Sequence, residues 1–410
     1  MVTTSSIRSD ATRTAMLALV GREGPLHRAS IARELGVNPM TVTQVARELI
    51  REGLLEELDR SPSTGGRPGQ LLGLVGTAGR AVGAKVSLDS LVIVDMRLDG
   101  QVVSSRIEEF DATRPDAVAD LAERLRSFVK TDDIPLLGVG VCLPGVIDRP
   151  ELGNVESASL GWLSVPLGRH LTGVLGVPVM VENSVKAFAF GELLYGLGRK
   201  LNTFLVATIG RGIGLATVVN RVVIRGAHGG AGEIAHVLID PKGPLCTRGH
   251  RGCLESYAGQ DGLLRAARSG GLLGDGDGLE ILAERADNEE PAAVSIFARA
   301  ATELGRSLAR SITTLDPELV ILGGEGTSAW RHWDAPFNHA LDEALPDDWG
   351  PVNIALASWE HTSWAQGAAA LVLATPFGHA GVSGSHRRQV LARLQSRTAV
   401  SAASSSADRT

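Results

Sequence analysis

GAHGGAGEIAHVLIDPKGPLCTRGHRGCLE, residues 226–255, holds an unusual density of chemistry. Its glycines let backbone come close to a ligand. Glu233, His236, Cys246, His250, Cys253 and Glu255 all fall within these thirty residues. A Gly-x-Gly run alone is weak evidence. Here Gly210, Gly212 and Gly214 come just upstream, and the combination is far less expected by chance.

The segments before it read as apolar strands that end at corners. LLGVGVCLPGVID (136–148) runs to a Pro-Gly step, VPVMVENSVKAFAFGE (177–192) runs through Asn183 and Ser184 into a helix, and TFLVATIGRGIGLATVV (203–219) carries the glycines. Strands with glycines or helix starts at one edge are the α/β way of presenting backbone to a ligand. Downstream, RSLARSITTLDPELVILGGEG reads as a long helix followed by another such strand. GGLLGDGDG (270–278) reads as a solvated loop, because no full set of oxygen ligands follows Asp275 and Asp277.

Before about residue 75 the character differs. ASIARELG buries Ile31, Ala32 and Leu35 and stops at Gly36; VNPMTVTQVARELIREG then offers Asn38 as a cap, Pro39 at the first helical position and a stripe of Val42, Val45, Ala46, Leu49 and Ile50. Met40, Thr41, Thr43, Gln44 and Arg47 are left facing outward. LLEEL, DRSPSTGGRPG and QLLGL then spell strand, loop and strand, a wing that offers Arg60 and Arg67 to phosphates or the minor groove. Gln44 suits an adenine edge, and Thr41 and Thr43 suit phosphate or a thymine methyl. The expectation is a winged helix-turn-helix that binds duplex DNA; a small helical docking domain is the plainer alternative.

Length and composition bound the rest. A chain of 410 residues suggests two or three domains, and no apolar run approaches the ~20 residues of a membrane span. MVTTSSIRSDATRT carries charge where a signal peptide needs its apolar block, and three cysteines make no disulfide framework; both favour a reducing cytoplasm. A net charge of −6 excludes a basic coat over the whole chain but not a local DNA-binding surface.

The whole set resembles the ROK proteins, which comprise transcriptional repressors and sugar kinases. The resemblance runs from the GGRPG wing through GVGVCLPGVID, VENSVKAFAFGE, GAHGGAGEIAH and CTRGHRGCLE to LDPELVILGGEG. It implies an α/β chain with an N-terminal winged helix-turn-helix over residues 1–78 and a two-lobed, actin-like ATPase fold over 79–380, the second lobe starting near 182. Residues 381–410 read as a disordered tail. The resemblance also implies a sugar effector between the lobes, held by Asn183, Glu233, His236 and Glu255, with Ser184 beside them. Each of these alone could equally be a surface or capping residue.

Two departures from the kinase pattern stand out. Where the kinases follow Asn with an Asp that accepts the sugar hydroxyl proton, this chain has Ser184, a far weaker base. Where the family's first phosphate loop should fall, GAKVSLDSLVIV supplies Lys85, Ser87, Leu88 and Asp89 in place of an Asp-x-Gly-Gly-Thr run. The expectation is therefore no bound ATP and no kinase activity. The family's zinc takes one His and three Cys; His236, Cys246 and Cys253 match three of them, and Arg248 stands at the fourth. His250 can substitute, or can be a solvated residue beside two core thiols. The resulting reading is a sugar-responsive repressor of carbohydrate uptake or metabolism genes, a homodimer or homotetramer on its operator, whose ligand alters lobe closure and hence the spacing of the winged helices. A regulator controlled by a protein partner is the alternative.

Overall fold

A computed structural model describes residues 4–58, 70–129, 133–246, 248–346, 348–378 and 384–395. The chain forms two compact units, residues 1–200 with 362–410, and residues 201–361.

The first unit opens with α1 (Thr4–Glu23), β1 (Leu26–His27), α2 (Arg28–Leu35), α3 (Pro39–Arg51), β2 (Leu55–Leu58) and β3 (Leu71–Leu74), the strands pairing in the order β1-β3-β2. α2 ends because Gly36 takes the left-handed conformation, φ 62°, and its N–H closes back onto the helix. α3 starts because the Asn38 side chain accepts the Met40 N–H at 2.8 Å and Pro39 has no N–H to leave unpaired. Ile31, Val42, Ala46, Leu49 and Leu72 are fully buried and hold the module together.

The module is followed by β4 (Arg80–Val86), β5 (Ser90–Arg97), β6 (Val102–Glu109), α4 (Ala117–Val129), β7 (Leu136–Leu143), β8 (Val146–Ile147), β9 (Asn154–Ser157), β10 (Trp162–Pro166), α5 (Leu167–Leu175), β11 (Val179–Asn183) and α6 (Ser184–Leu194). The main sheet has the order β11-β7-β4-β5-β6, parallel from β11 to β4 and antiparallel beyond. Every residue of β7 is buried, as a strand covered on both faces requires. Leu121, Leu125 and Leu171, from α4 and α5, fill one face with Val82, Val139 and Val181.

After Lys200 the chain enters the second unit. It contains β12 (Phe204–Ile209), β13 (Ile213–Val219), β14 (Val222–Val223), α7 (Glu255–Ala258), α8 (Gln260–Ser269), α9 (Leu279–Asp287), α10 (Pro291–Leu315), β15 (Leu319–Gly323), α11 (Asp334–Ala344) and β16 (Ile354–Leu356). Its sheet has the order β14-β13-β12-β15-β16. Ala300, Leu304, Leu308 and Ile312 of α10 form the stripe that packs with Phe297 and Phe337 into one core. Residues 270–278 form the loop that their composition predicts, fastened by Arg268 to the carbonyls of Gly274, Asp275 and Asp277.

The chain then returns to the first unit in α12 (Ser363–Leu373). A Cβ on Gly83 would lie 1.9 Å from the Ala365 carbonyl oxygen, and one on Gly140 would lie 1.8 Å from that of Ala368, so only glycine lets this helix sit on β4 and β7. Gly367 does the same toward Ala187 of α6, where a Cβ would meet a carbonyl oxygen at 2.5 Å.

Three expectations change. The division between units falls at Leu201 instead of near residue 182, because β11 pairs with β7 and α6 packs under α12, which keeps both in the first unit. Residues 1–78 do not separate as a third body but group with that unit. The tail is also not wholly unstructured: α13 (Gly384–Gln395) buries Val390 and Leu394, one helical turn apart, while Arg393 donates to the carbonyls of Leu136 at 3.3 Å and Gly176 at 3.1 Å. Residues 396–410 lie outside the described ones.

Candidate DNA-binding, effector and metal sites

On α3 the outward residues are those that the helical period predicts. Met40 is 79% exposed, Thr41, Gln44 and Arg47 are exposed, and Thr43 is half-buried, its hydroxyl donating to the Pro39 carbonyl at 2.9 Å. Gln44 donates to Glu48 at 3.3 Å, a partner that sequence reading did not assign. Arg13 and Arg28 are already paired, with Glu52 and Glu57. Arg60 and Arg67, expected on the wing, lie outside the described residues.

The corner at Asn183 and Ser184 belongs to the first unit. Asn183 caps α6: its side-chain oxygen accepts the N–H groups of Val185 at 2.9 Å and Lys186 at 3.3 Å, and its amide donates to the Gly145 carbonyl at 2.9 Å. Ser184, nearly buried, receives a hydrogen bond from the ammonium of Lys85. That ammonium also sits 5.1 Å from the ring centre of Trp364, a cation held against a π face. Cys142 completes the group by donating to the Trp364 carbonyl at 3.3 Å. Burial pushes its thiol up to about 11, against the opposing pull of Lys85 and of the Ser184 hydroxyl. The two sequence departures, Lys85 and Ser184, are thus partners in one contact. The hairpin after β4 closes through the Ser87 N–H on the Ser90 carbonyl at 2.9 Å, with Leu88 at its tip.

In the second unit the glycine loop leads into a short turn, Ile234–His236, with Glu233 at its start. Gly232 has φ +85°, and a Cβ there would stand 1.9 Å from the Leu215 carbonyl oxygen, so the loop can run this close to β13 only with glycine. Glu255 opens α7, with its Oε1 3.0 Å from where a Cβ on Gly212 would be. The charges of Glu255 and Glu233 both favour the protonated His236 ring. Burial first, and then the Arg248 guanidinium, nevertheless holds the imidazole below its usual range. Arg248 donates to Glu233 at 2.8 Å, a pairing that the sequence did not reveal.

The same turn faces a knuckle. Leu245 pairs with Arg251, the Cys246 N–H bonds the His250 carbonyl at 2.8 Å, and Gly249 takes φ +79° to close the bend. As a result the ligand atoms of His236, Cys246, His250 and Cys253 all lie within 4.8 Å of one another. Cys246 Sγ is 3.7 Å from His236 Nδ1, and the cysteines are not disulfide-bonded. Burial pushes the Cys253 thiol up to about 11, the kind of penalty that a bound cation reverses. Two thiols and two imidazoles at this separation fit a tetrahedral, closed site.

Comparison with known proteins gives the family and the fold. Residues 91–375 match the model of the ROK family. The chain is 30% identical over 258 residues to the xylose repressor of Bacillus spizizenii, spanning 62% of this chain and 67% of that repressor. A crystal structure of a ROK family transcriptional regulator, a homolog of the Escherichia coli MLC protein, shares the fold with a TM-score of 0.76 at 20% identity, over 95% of this chain and 99% of that one. The ROK family glucokinase from Streptomyces griseus, in complex with glucose and AMPPNP, matches with a TM-score of 0.63 at 24% identity, over 72% of this chain and 99% of that one. With its family model covering most of the length and its fold shared with a regulator over nearly all of it, the chain belongs to the ROK family.

Proposed function

We propose that this protein is a DNA-binding transcriptional regulator of the sugar-responsive repressor kind, acting in the cytoplasm as a homo-oligomer, and that it does not phosphorylate sugars. The observation that carries the reading is α3, capped by Asn38 and presenting Met40, Thr41, Gln44 and Arg47 after a glycine turn. Among the described residues no helix is long and apolar enough to cross a membrane. Arg60, Arg67 and Thr43 supply phosphate contacts in this reading.

The effector is a sugar or sugar derivative held by Glu233, His236 and Glu255, since two carboxylates and an imidazole whose protonation burial disfavours supply acceptors and a donor to ring hydroxyls. Asn183 and Ser184 are further effector contacts in this reading. Zinc is held by His236, Cys246, Cys253 and His250, and supplies a structural cross-link that fixes the knuckle beside Glu233. Kinase chemistry is disfavoured because the Ser184 corner holds an ammonium and a protonated thiol where a proton acceptor is required.

The test is binding of the full chain to duplex DNA from upstream of its own gene. Affinity should fall steeply with salt and drop by about tenfold or more in Gln44→Ala or Arg47→Ala. Binding that ignores both salt and these substitutions refutes the DNA reading. Thermal-shift screening of sugars with wild type and Glu233→Gln checks the effector independently, as a shift should appear and the substitution should abolish it.

A further inference from the structure

The chain crosses between its two units after Lys200 and again after His361, and both crossings lead to the same place on the DNA-binding module. At the first, α6 leads from the Ser184 corner to Leu194, and the turn after it carries Arg199, whose guanidinium donates twice to the Gly21 carbonyl, at 3.1 and 2.7 Å. Lys200 reaches Glu23 at 3.6 Å. At the second, α12 begins immediately and leads to Phe377, which is buried, with its ring 3.2 Å from where a Cβ on Gly21 would stand. A Cβ on Gly378 would likewise stand 3.3 Å from the Thr14 methyl group.

Gly21 lies in the last turn of α1, where helix carbonyls have no donor within the helix. A guanidinium there satisfies one such carbonyl and matches the negative end of the helix dipole. We infer that Arg199 is a positioning residue for DNA binding: it caps α1 from the first crossing, while Phe377 braces the same turn from the second. A displacement arriving at either crossing is delivered to α1, which packs directly on α2 and α3. This deepens the regulatory reading above, on which it rests, by naming the joint through which the body acts on the recognition helix.

The experiment uses the full chain as wild type, Arg199→Ala and Arg199→Lys, with circular dichroism confirming that each folds. Hydrogen exchange without ligand decides the joint. Arg199→Ala should speed exchange about tenfold or more in the last turn of α1 and also in α3, and Arg199→Lys, which keeps a charged donor, should recover part of the protection. Acceleration confined to the last turn of α1 overturns the proposal.

Affinity for the protein's own upstream DNA is then measured with and without D-xylose or N-acetylglucosamine. If either sugar alters wild-type binding, Arg199→Ala should bring the ratio of the two affinities close to one, and a ratio that survives the substitution also overturns the proposal. If neither sugar acts on wild type, the effector reading loses support from these two ligands, while the exchange result still decides the joint.

Discussion

The corner at Ser184 and the knuckle at Cys246 both depart from the family's pattern, and the two departures end differently. At the corner, the altered residues close on each other, Lys85 onto Ser184, under the ring of Trp364. At the knuckle, the altered residue leaves: Arg248 turns to Glu233, and His250 brings a ring nitrogen into the place that the donor set needs. One site is filled from within, while the other keeps the geometry for a cation. A substitution at a functional position therefore says little until its new partner is known.

The largest effect that would break this comparison concerns the metal. Purified without chelator, the protein should carry about one zinc per chain, and Cys253→Ser or His250→Ala should lose most of it. If His250→Ala keeps its full complement, the two-imidazole site is wrong. Chelation should also make Cys246 and Cys253 reactive toward thiol reagents while leaving Cys142 untouched.

Next in size is the titration of Cys142. In the unfolded chain its thiol ionises near 9.0, whereas in the folded protein burial holds it up at about 11. The folded state thus favours the protonated form, with its full contribution below pH 9.0 and a loss as pH rises through about 11. Alkaline denaturation should show this as up to ~3 kcal/mol, absent in Cys142→Ala.

A smaller effect tests the filled corner itself. Replacing Lys85 by Met removes the cation from the Trp364 face and should cost ~1 kcal/mol, seen as a lower denaturant midpoint at unchanged slope. The smallest expected effect is none. Ser184→Asp restores a carboxylate but leaves the hairpin at Ser87–Ser90 without a glycine cradle, so ATP turnover with hexoses should stay far below the roughly 1–100 s⁻¹ of working kinases. Turnover in that range would reopen the kinase reading.

Much of this was legible in the sequence because the signals were local. Asn38-Pro39 and Gly36 marked the ends of two helices by cap chemistry that needs no tertiary context. His236, Cys246, His250 and Cys253 stand within one short segment, so their convergence could be anticipated. Contacts between distant segments were not legible. Lys85 meets Ser184 across 99 residues, and Arg199 reaches Gly21 across 178. The division at Leu201 escaped because it depends on which sheet β11 joins, and a parallel pairing leaves no mark in the strand's own pattern. Among the described residues of the tail, only Val390 and Leu394 are buried, too few for periodicity to show.

The glycine-mediated seating of α12 on β4 and β7 bears on the order in which the protein is made. The sheet is synthesised early, but the helix that covers it is encoded after the whole of the second unit. On the ribosome, β4 and β7 must wait with one apolar face open until Ser363–Leu373 emerges, while residues 201–361 can fold meanwhile as a unit of their own. A nascent chain halted within the second unit would therefore carry the recognition helix without the brace that Phe377 provides.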